Sequence, residues 1–426
     1  MGSINGVDLS NISGLSGRSF VSSGVSSVPV TRDSGLLLCP YNASPVAPYH
    51  PDMFADYINP IHMYQWSSRT DVVAVVSNNF HVGLLTSSGD VYVSGYNYSS
   101  SMGVTGGYSG GGDFVQSNIS NVVKLRTHYS GFMAIKSDGS LWYTGAVSNY
   151  MSGVSSASNQ WLRYGTDTDW HDIQPWTGGY PYTIIAIKGA ARSRYLYAIG
   201  YQTNYGTGQG TTSGSLTSWT RVKSAASTDL NVSFSSCSAC YGACAAVADN
   251  GDLYVWGEGN YGNMLDGSSA DEPYAVQRGT NQTWSKVIQN RYGFHGITTD
   301  GKYFVSTSFS GWKCKGGAYN RTLNQVGTDT DYEDFVVDNI STNGNDIVQF
   351  VKKNGVWYMT QGYSLEDGGW HGKSSSDSPF YPQNETWYTV NQFLFKNDIT
   401  GTLQFPYLIP GQGGRNGKAE LLFVVT

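Results

Sequence analysis

Hydrophobic and polar residues alternate in short runs along this chain, and glycines close the runs at intervals of about fifty residues. In each run a turn glycine follows a small or acidic residue and precedes an aromatic and aliphatic alternation, as at 88–95, 138–145 and 250–257. Weaker copies occur at 300–305 and 354–359. A period of two places side chains on both faces of a strand, and glycine supplies the positive φ of a tight turn. The pattern therefore predicts one β-hairpin per copy.

The copies are regular enough to predict the architecture. A lone hairpin cannot bury its apolar face, so the copies must pack on one another. The copy at 33–39 lacks a first strand, and residues 420–425 form a strand that no turn follows. We therefore predict an all-β fold: a seven-bladed β-propeller over residues 33–426, closed by pairing of the N- and C-terminal strands, rather than an open array. The turns lie at Gly35, Gly89, Gly139, a longer loop near residue 191, Gly251, Gly301 and Gly355.

Several phrases in these copies resemble the regulator-of-chromosome-condensation repeat. They are the near twins 164–170 and 326–332, the strand at 249–257 and the following residues 260–262. The resemblance covers roughly residues 33 to 426 and implies the same propeller fold. It also implies one class of function, a cellular interaction module of the exchange-factor or chromatin-associated kind. Propellers of this type host many functions, so the function has to be argued from a site.

The composition of the chain limits the classes of partner that it could bind. Only 13% of the residues are charged, glycine and tyrosine are abundant, and the net charge is −6. Such a chain has no basic surface for nucleic acid. It contains no stretch of about 18 apolar residues and no signal peptide, so we expect a chain that does not insert into membranes and is synthesised in the cytoplasm.

Candidate catalytic and metal-binding groups are few. The spacing of the cysteines at 237–244 is typical of a metal site, but no second pair accompanies them, and a small-residue core strand is the preferred interpretation. Acidic pairs at 167/169 and 329/331 could form a glycosidase site, yet their repetition indicates an inter-blade turn. The sequence thus predicts no enzymatic activity, no cofactor and no metal. Three histidines near first strands are interpreted as core groups: His81, His128 and His295.

The N-terminal segment, residues 1–32, is predicted to be an extended arm. Residues 3–12 resemble the leaders of tail-fibre and other virion proteins of tailed bacteriophages. Extended peptides with alternate apolar residues can add to a neighbouring sheet or groove, so the arm is a candidate attachment segment. A disordered leader is the alternative. The apolar positions that would bind a partner are Ile4, Val7, Leu9, Ile12 and Leu15.

The connection after the third strand of each blade carries aromatic residues. These rings either pack against the next blade or form an exposed set that stacks on sugars or binds protein, and both interpretations stay open. The candidate ligand-binding residues are Tyr96, Tyr98, Tyr108, Tyr150, Tyr205, Tyr261, Trp312 and Trp370.

Together these features favour a bacteriophage virion structural protein, either a fibre or adaptor protein or a receptor-binding propeller. Its expected location is the virion, in multiple copies. Its expected partners are other virion proteins through the arm, and a glycan or protein of the host surface. The alternatives are the cellular interaction module and a carbohydrate-active enzyme.

Overall fold

The computed structural model describes residues 3–4, 7–8, 35–39, 64–78, 81–95, 97, 101–104, 111–128, 130–147, 151, 157–175, 183–240, 242–290, 292–308, 321–337, 348–361, 388–389, 402–409 and 420–425. These residues form β-strands and two short 3₁₀ turns, Thr203–Tyr205 and Asn260–Gly262. Within these ranges there is no helix of the length and apolar character that a membrane span requires.

The strands are given in chain order. They are β1 (Ser3–Ile4), β2 (Val7–Asp8), β3 (Gly35–Cys39), β4 (Tyr64–Ser67), β5 (Val72–Ser77), β6 (His81–Thr86), β7 (Val91–Gly95), β8 (Gly111–Gln116), β9 (Val122–His128), β10 (Gly131–Lys136), β11 (Leu141–Gly145), β12 (Ala157–Arg163), β13 (Trp170–Pro175), β14 (Thr183–Lys188), β15 (Tyr195–Tyr201), β16 (Ser215–Arg221), β17 (Phe234–Cys240), β18 (Ala243–Ala248), β19 (Leu253–Gly257), β20 (Glu272–Arg278), β21 (Trp284–Asn290), β22 (Gly293–Thr298), β23 (Tyr303–Ser306), β24 (Asn324–Gln325), β25 (Tyr332–Val337), β26 (Val348–Lys353), β27 (Val356–Gln361), β28 (Tyr388–Thr389), β29 (Leu403–Ile409) and β30 (Glu420–Val425).

The strands assemble into an all-β propeller. Six blades each consist of four consecutive antiparallel strands: β5–β8, β9–β12, β13–β16, β17–β20, β21–β24 and β25–β28. A further four-stranded sheet has the order β29-β30-β3-β4 and so combines the two ends of the chain. The first strand of each blade contacts the neighbouring blades, which places it innermost.

The composite sheet contains the pairing predicted between the chain ends. Gly35–Cys39 runs antiparallel to Glu420–Val425, with Leu37 opposite Phe423. The seven turn copies of the sequence thus correspond to six blades of consecutive strands and one composite sheet. This sheet contacts both of its neighbours, the β5–β8 and β25–β28 blades.

Of the predicted N-terminal arm, residues 1–32, the structure describes 3–4 and 7–8. Ser3–Ile4 pairs with Val7–Asp8 in a two-stranded antiparallel sheet, with Ile4 opposite Val7. The predicted partner-binding residues Leu9, Ile12 and Leu15 lie outside the described residues.

The apolar core lies between blades rather than inside any one of them. Met133 and Ile135 of one blade pack with Ile173 and Ile184 of the next, and corresponding clusters lie between the other described pairs. At the closure, Val424 joins a cluster of β5 and β6 side chains. Burial stabilises each large apolar side chain by about 1.5–3 kcal/mol, so the hairpins are stable only as a ring.

Backbone hydrogen bonds also join consecutive blades. In the second-to-third-strand turns, the glycine carbonyl accepts the N–H of the first residue of the next innermost strand. These bonds run from Val122 to Gly89, Trp170 to Gly139, Trp284 to Gly251 and Tyr332 to Gly301, at 2.9, 3.2, 2.8 and 3.1 Å.

Candidate functional site

The meander topology gives the propeller two different ends. Connections between second and third strands are short turns, such as 137–140 and 249–252, and we call their side the turn end. Connections from the first to the second strand and from the third to the fourth lie at the opposite side, the loop end. The third-to-fourth connections are long, for example 202–214 and 258–271. Tyr205 and Tyr261, the two aromatic candidates among the described residues, belong to connections of the loop end.

Two loop-end connections contain the same Asn-Tyr-Gly turn. Tyr205 has φ 57° and Tyr261 has φ 61°, values in the left-handed region that non-glycine residues rarely occupy. The glycine carbonyl that follows each tyrosine binds the next blade. Trp256 Nε1 donates to Gly206 O and Ser306 Oγ donates to Gly262 O, both at 2.9 Å.

The tyrosine ring of the second turn also packs between blades. The Tyr261 and Tyr292 rings are in T-shaped contact, with centroids 5.2 Å apart, and Tyr292 belongs to the following blade. Tyr261 and Tyr205 are both half-buried. For Tyr261 the geometry favours inter-blade packing over a freely exposed ring. The other candidate aromatic residues lie outside the described residues: Tyr96, Tyr98, Tyr108, Tyr150, Trp312 and Trp370.

The same two turns share an acidic side chain that sequence reasoning missed. Glu258 accepts hydrogen bonds from Asn204 Nδ2 at 3.2 Å and from Asn260 Nδ2 at 2.7 Å, so it links two neighbouring blades. Nearby, Asp271 accepts the N–H of Gly259 at 2.9 Å and is exposed. This part of the loop end is therefore rigid and acidic.

At the turn end, the acidic pairs have a structural role. Lys188 Nζ lies 2.5 Å from Asp167 and 3.7 Å from Asp169. The twin pair repeats this arrangement, since Lys353 Nζ lies 2.6 Å from Asp329 and 3.3 Å from Asp331. Each lysine also lies over the aromatic ring that follows its pair, at 5.1 Å from the centroid.

These contacts weigh against the glycosidase interpretation. Burial lowers the pKa of Lys188, but the hydrogen bond and charges of its two aspartates outweigh it and raise this pKa above its ordinary value. The same balance raises the pKa of Lys353. Each acidic pair therefore faces a permanent cation, in a connection between blades, as the repetition in the sequence predicted.

The buried histidines and cysteines are core groups in this structure. Desolvation lowers the pKa of His81 to about 3, of His128 to about 4 and of His295 to about 3, so all three are neutral near pH 7. Asn78 Nδ2 lies 2.9 Å from His81 Nε2 and donates to His128 O at 2.6 Å.

The three cysteines of the metal-like spacing are buried and form no disulfide: Cys237, Cys240 and Cys244. Burial raises the pKa of Cys237 and Cys244, which disfavours the thiolate that a metal requires. Within the described parts of the chain, no group of three or more His, Cys, Asp or Glu side chains could hold a metal ion.

The fold is similar to that of several solved structures. Human WBSCR16 superposes with a TM-score of 0.62 at 12% identity, covering 93% of this chain and 99% of that one. Prp20p from Saccharomyces cerevisiae gives 0.60 at 10% identity, with 93% and 92% covered. Yeast RCC1 (Prp20) in complex with Kap60 gives 0.54 at 12% identity, with 83% and 80% covered.

This chain has an RCC1-like propeller fold. The resemblance seen in the repeats is thereby confirmed for the fold, while identities of 10–12% carry no function across. Prp20p has been characterised for binding to Gsp1p and histones, and Kap60 binds yeast RCC1. No protein-family model matches the sequence, and no curated protein does.

Proposed function

We propose that this chain is a non-enzymatic interaction module that binds a protein partner through its loop end. The observation that carries the proposal is that the third-to-fourth-strand connections, such as 202–214 and 258–271, lie together at one end of a ring whose blades are joined by backbone hydrogen bonds. Binding residues are disproportionately found on loops that a rigid scaffold positions. The RCC1-like neighbours bind proteins, which agrees with this class of function.

The described part of the loop end indicates the chemistry of the partner. Asp266 and Asp271 are exposed, and Glu258 is half-buried beside them. Arg278 forms ion pairs with Glu272 and, at 3.7 Å, with Asp266, and so offsets part of the acidic charge. The surface remains acidic, so a partner surface rich in lysine or arginine would complement it and bind with a salt-dependent association rate.

The absence of turnover is part of the proposal. The acidic pairs are bound by lysines, and the three buried histidines are neutral. Sustained turnover of a host polysaccharide by the purified chain, lost on Asp167→Asn or Asp329→Asn, would contradict it.

Site-specific photo-crosslinking tests the assignment of the binding end. A photoreactive residue at Thr212 or Ser269 samples the loop end, and one at Asn250 samples the turn end as the matched control. All three positions are exposed. We expect a discrete adduct of the same protein from both loop-end positions and none from Asn250. An adduct from Asn250 alone, or none from any position in the native source, would overturn the proposal.

A virion component is the second candidate, favoured by the phage-like phrase at 3–12 and by the place where the arm meets the ring. Val425 of β30 pairs with Gly35 of β3 on one side and with Leu403 of β29 on the other. Leu403 is the first residue of the first strand in this sheet and so lies at the turn end. The chain therefore enters the propeller at the turn end. An arm attached there would leave the loop end free for a host-surface protein or glycan.

The test of this second candidate is mass spectrometry of purified particles, combined with deletion of residues 2–20. We expect the polypeptide in the particle, unchanged thermal stability of the truncated propeller, and loss of its incorporation. Full incorporation of the truncated chain would show that the arm does not attach it.

A further inference from the structure

The sequence contains five Asn-Gly pairs, and the structure describes two of them, both in turns of the turn end: 250–251 and 354–355. An asparagine before glycine can convert to aspartate or isoaspartate, because glycine has no side chain to hinder attack of its backbone nitrogen on the asparagine Cγ. In a folded protein the reaction depends on how the turn holds the two reacting groups. The two described turns hold them in different ways.

The first of these turns engages both reacting groups in internal hydrogen bonds. The Gly251 N–H donates to Ala248 O at 2.8 Å. The Asn250 side chain accepts the Asp252 N–H at 3.1 Å and donates from Nδ2 to the Asp252 carboxylate at 2.8 Å. A Cβ on Gly251 would lie 2.3 Å from Thr283 Cγ2, so the turn is also packed against the connection to the next blade. Ring closure here would have to break these contacts.

The second turn is built differently. Lys353 pairs with Val356, so Asn354 and Gly355 form a two-residue hairpin loop, and their φ values of 48° and 76° are those of a type I′ turn. Both residues are exposed, and no described heavy atom lies within 4 Å of an ideal Cβ on Gly355. This loop therefore has room for the change of backbone conformation that ring closure needs.

The two reacting groups of this second turn face the same acidic segment. The Gly355 N–H donates to Glu333 Oε1 at 2.9 Å, and Asn354 Nδ2 donates to Asp331 Oδ2 at 2.8 Å. The attacking nitrogen and the amide nitrogen that would leave therefore lie on the same side of the loop. A carboxylate is also within hydrogen-bond reach of the proton that ring closure removes, which is the first requirement for a general base.

We propose that Asn354 is a self-modification site, at which the Gly355 nitrogen closes a succinimide ring on Asn354 Cγ with Glu333 as the general base. The Gly355 N–H bond breaks and its proton passes to Glu333, while the N–Cγ bond forms. The Cγ–Nδ2 bond then breaks, and Glu333 returns the proton to Nδ2, which leaves as ammonia. Water opens either carbonyl of the ring and leaves aspartate or isoaspartate at 354. The reaction requires no second protein and is independent of the loop-end partner.

The conversion would alter the ion pairs beside the turn. Asn354 Nδ2 donates to Asp331, whose carboxylate also lies 3.3 Å from Lys353 Nζ. Aspartate at 354 removes this donor and places a further negative charge beside Asp331 and Glu333, so like charges oppose one another there. Isoaspartate also lengthens the backbone of the two-residue loop. Each product therefore weakens the contact between the β26–β27 turn and the connection from the preceding blade.

The test incubates the full chain under native conditions at mildly alkaline pH and follows each Asn-Gly peptide by mass spectrometry. Fragment ions distinguish isoaspartate, which only succinimide opening produces, from aspartate. The 250–251 peptide of the same digest is the matched internal control. In the folded protein we expect conversion at 354 at least about tenfold faster than at 250, since Gly251 must first give up a backbone hydrogen bond. In the chain unfolded by guanidinium we expect similar rates at the two sites.

The variant Glu333→Gln separates the base from the turn, because it keeps a hydrogen-bond acceptor for the Gly355 N–H and removes the basic carboxylate. Conversion at 354 should slow by about tenfold or more in the folded variant and stay unchanged in the unfolded one. Asp300→Asn is the control, since it removes an exposed carboxylate at the same end of the preceding blade, and it should leave the rate at 354 unchanged. Circular dichroism and melting temperature confirm that each variant is folded.

Three results would contradict the proposal. The same ratio of rates at 354 and 250 in the folded and the unfolded chain would show that the sequence alone sets the reaction and would overturn the site. Aspartate without isoaspartate would exclude the succinimide. An unchanged rate in folded Glu333→Gln, or an equal loss in Asp300→Asn, would overturn the role of Glu333.

Discussion

The turn glycines make a strong prediction about inter-blade packing, and Gly139→Ala tests it. Gly139 has φ +77°, and a Cβ at this position would lie 2.0 Å from Thr168 O, an atom of the connection to the next blade. The same turn accepts the Trp170 N–H at 3.2 Å. Gly165 belongs to that same connection and has φ +59°, but no described heavy atom lies within 4 Å of its ideal Cβ. Gly165→Ala is therefore the control for backbone strain alone.

The expected magnitudes follow from these contacts. A left-handed φ costs a residue with a Cβ about 1–2 kcal/mol, which is the whole expected effect of Gly165→Ala. Gly139→Ala adds about 1 kcal/mol for the weakened hydrogen bond from Trp170. Moving the Thr168 backbone away adds about 1–3 kcal/mol of packing strain. The free energy of unfolding should thus fall by about 3–6 kcal/mol in Gly139→Ala.

Thermal denaturation followed by circular dichroism measures the difference. With an unfolding entropy of about 2 cal/mol/K per residue, each kcal/mol lowers the melting temperature of a chain of this size by about 1 °C. Gly139→Ala should melt about 3–6 °C below the wild type, and Gly165→Ala about 1–2 °C below it. The twin motif offers a replicate, since Gly301 would meet Thr330 O at 2.3 Å whereas Gly327 has no described neighbour. Equal losses within each pair would refute the inter-blade role of the turn.

Three further predictions concern the lysines that pair with the acidic pairs, the pairing of the chain ends and the buried histidines. Lys353→Met should lower the unfolding free energy by about 0.5–1 kcal/mol at low salt and less at 1 M salt, while Lys352→Met, without an ion pair among the described residues, should not show this salt dependence in urea titrations. Deletion of residues 420–426 removes the strand between β29 and β3, so we expect a lower melting temperature and aggregation; an unchanged, monodisperse protein would contradict the closure. The pKa values of His81 and His128 are about 3 and about 4 in the folded protein, against 6.5 for an ordinary histidine. Between about pH 6.5 and pH 4, only the unfolded chain therefore binds a proton at these two side chains. Each histidine should lower the free energy of unfolding by about 1.4 kcal/mol per pH unit as the pH falls through this range. His128→Gln should flatten this slope, and an unaltered slope would exclude the mechanism.

Much of the fold was predictable because its signals are local. A turn glycine beside an alternating run specifies a hairpin within about ten residues, and the unpaired strand at 420–425 indicated the closure with 35–39. The ion pairs between these lysines and the acidic pairs were not predicted. Lys188 lies about twenty residues after its acidic pair in the sequence, and only the register of β13 and β14, which pairs it with Trp170, places it beside the two aspartates. The sequence did contain a signal for these ion pairs. In both blades whose first strand follows an Asp-x-Asp motif, the second strand ends in a lysine.

The candidate site was predicted only in part, for a related reason. Sequence spacing places the loop aromatics at one end of the propeller, because third-to-fourth connections of a meander share that end. It does not give their exposure, which depends on a neighbouring blade. The Tyr261 ring meets Tyr292, and Glu258 bridges two turns about fifty residues apart. Such contacts arise from the ring geometry, not from any local pattern.

The main-chain character of these inter-blade contacts explains how the fold persists at very low identity. The turn-end bonds use glycine carbonyls and backbone N–H groups, and at the loop end Gly206 O and Gly262 O accept from side chains as different as Trp256 and Ser306. These bonds require a carbonyl in the turn rather than a particular side chain, since Arg194 O accepts the Phe234 N–H at 2.9 Å where other blades use a glycine. A superposition covering 93% of the chain at 12% identity is the expected result. The same freedom allows the β9–β12 blade to have Ile119 and Asn121 where two other blades have an acidic pair.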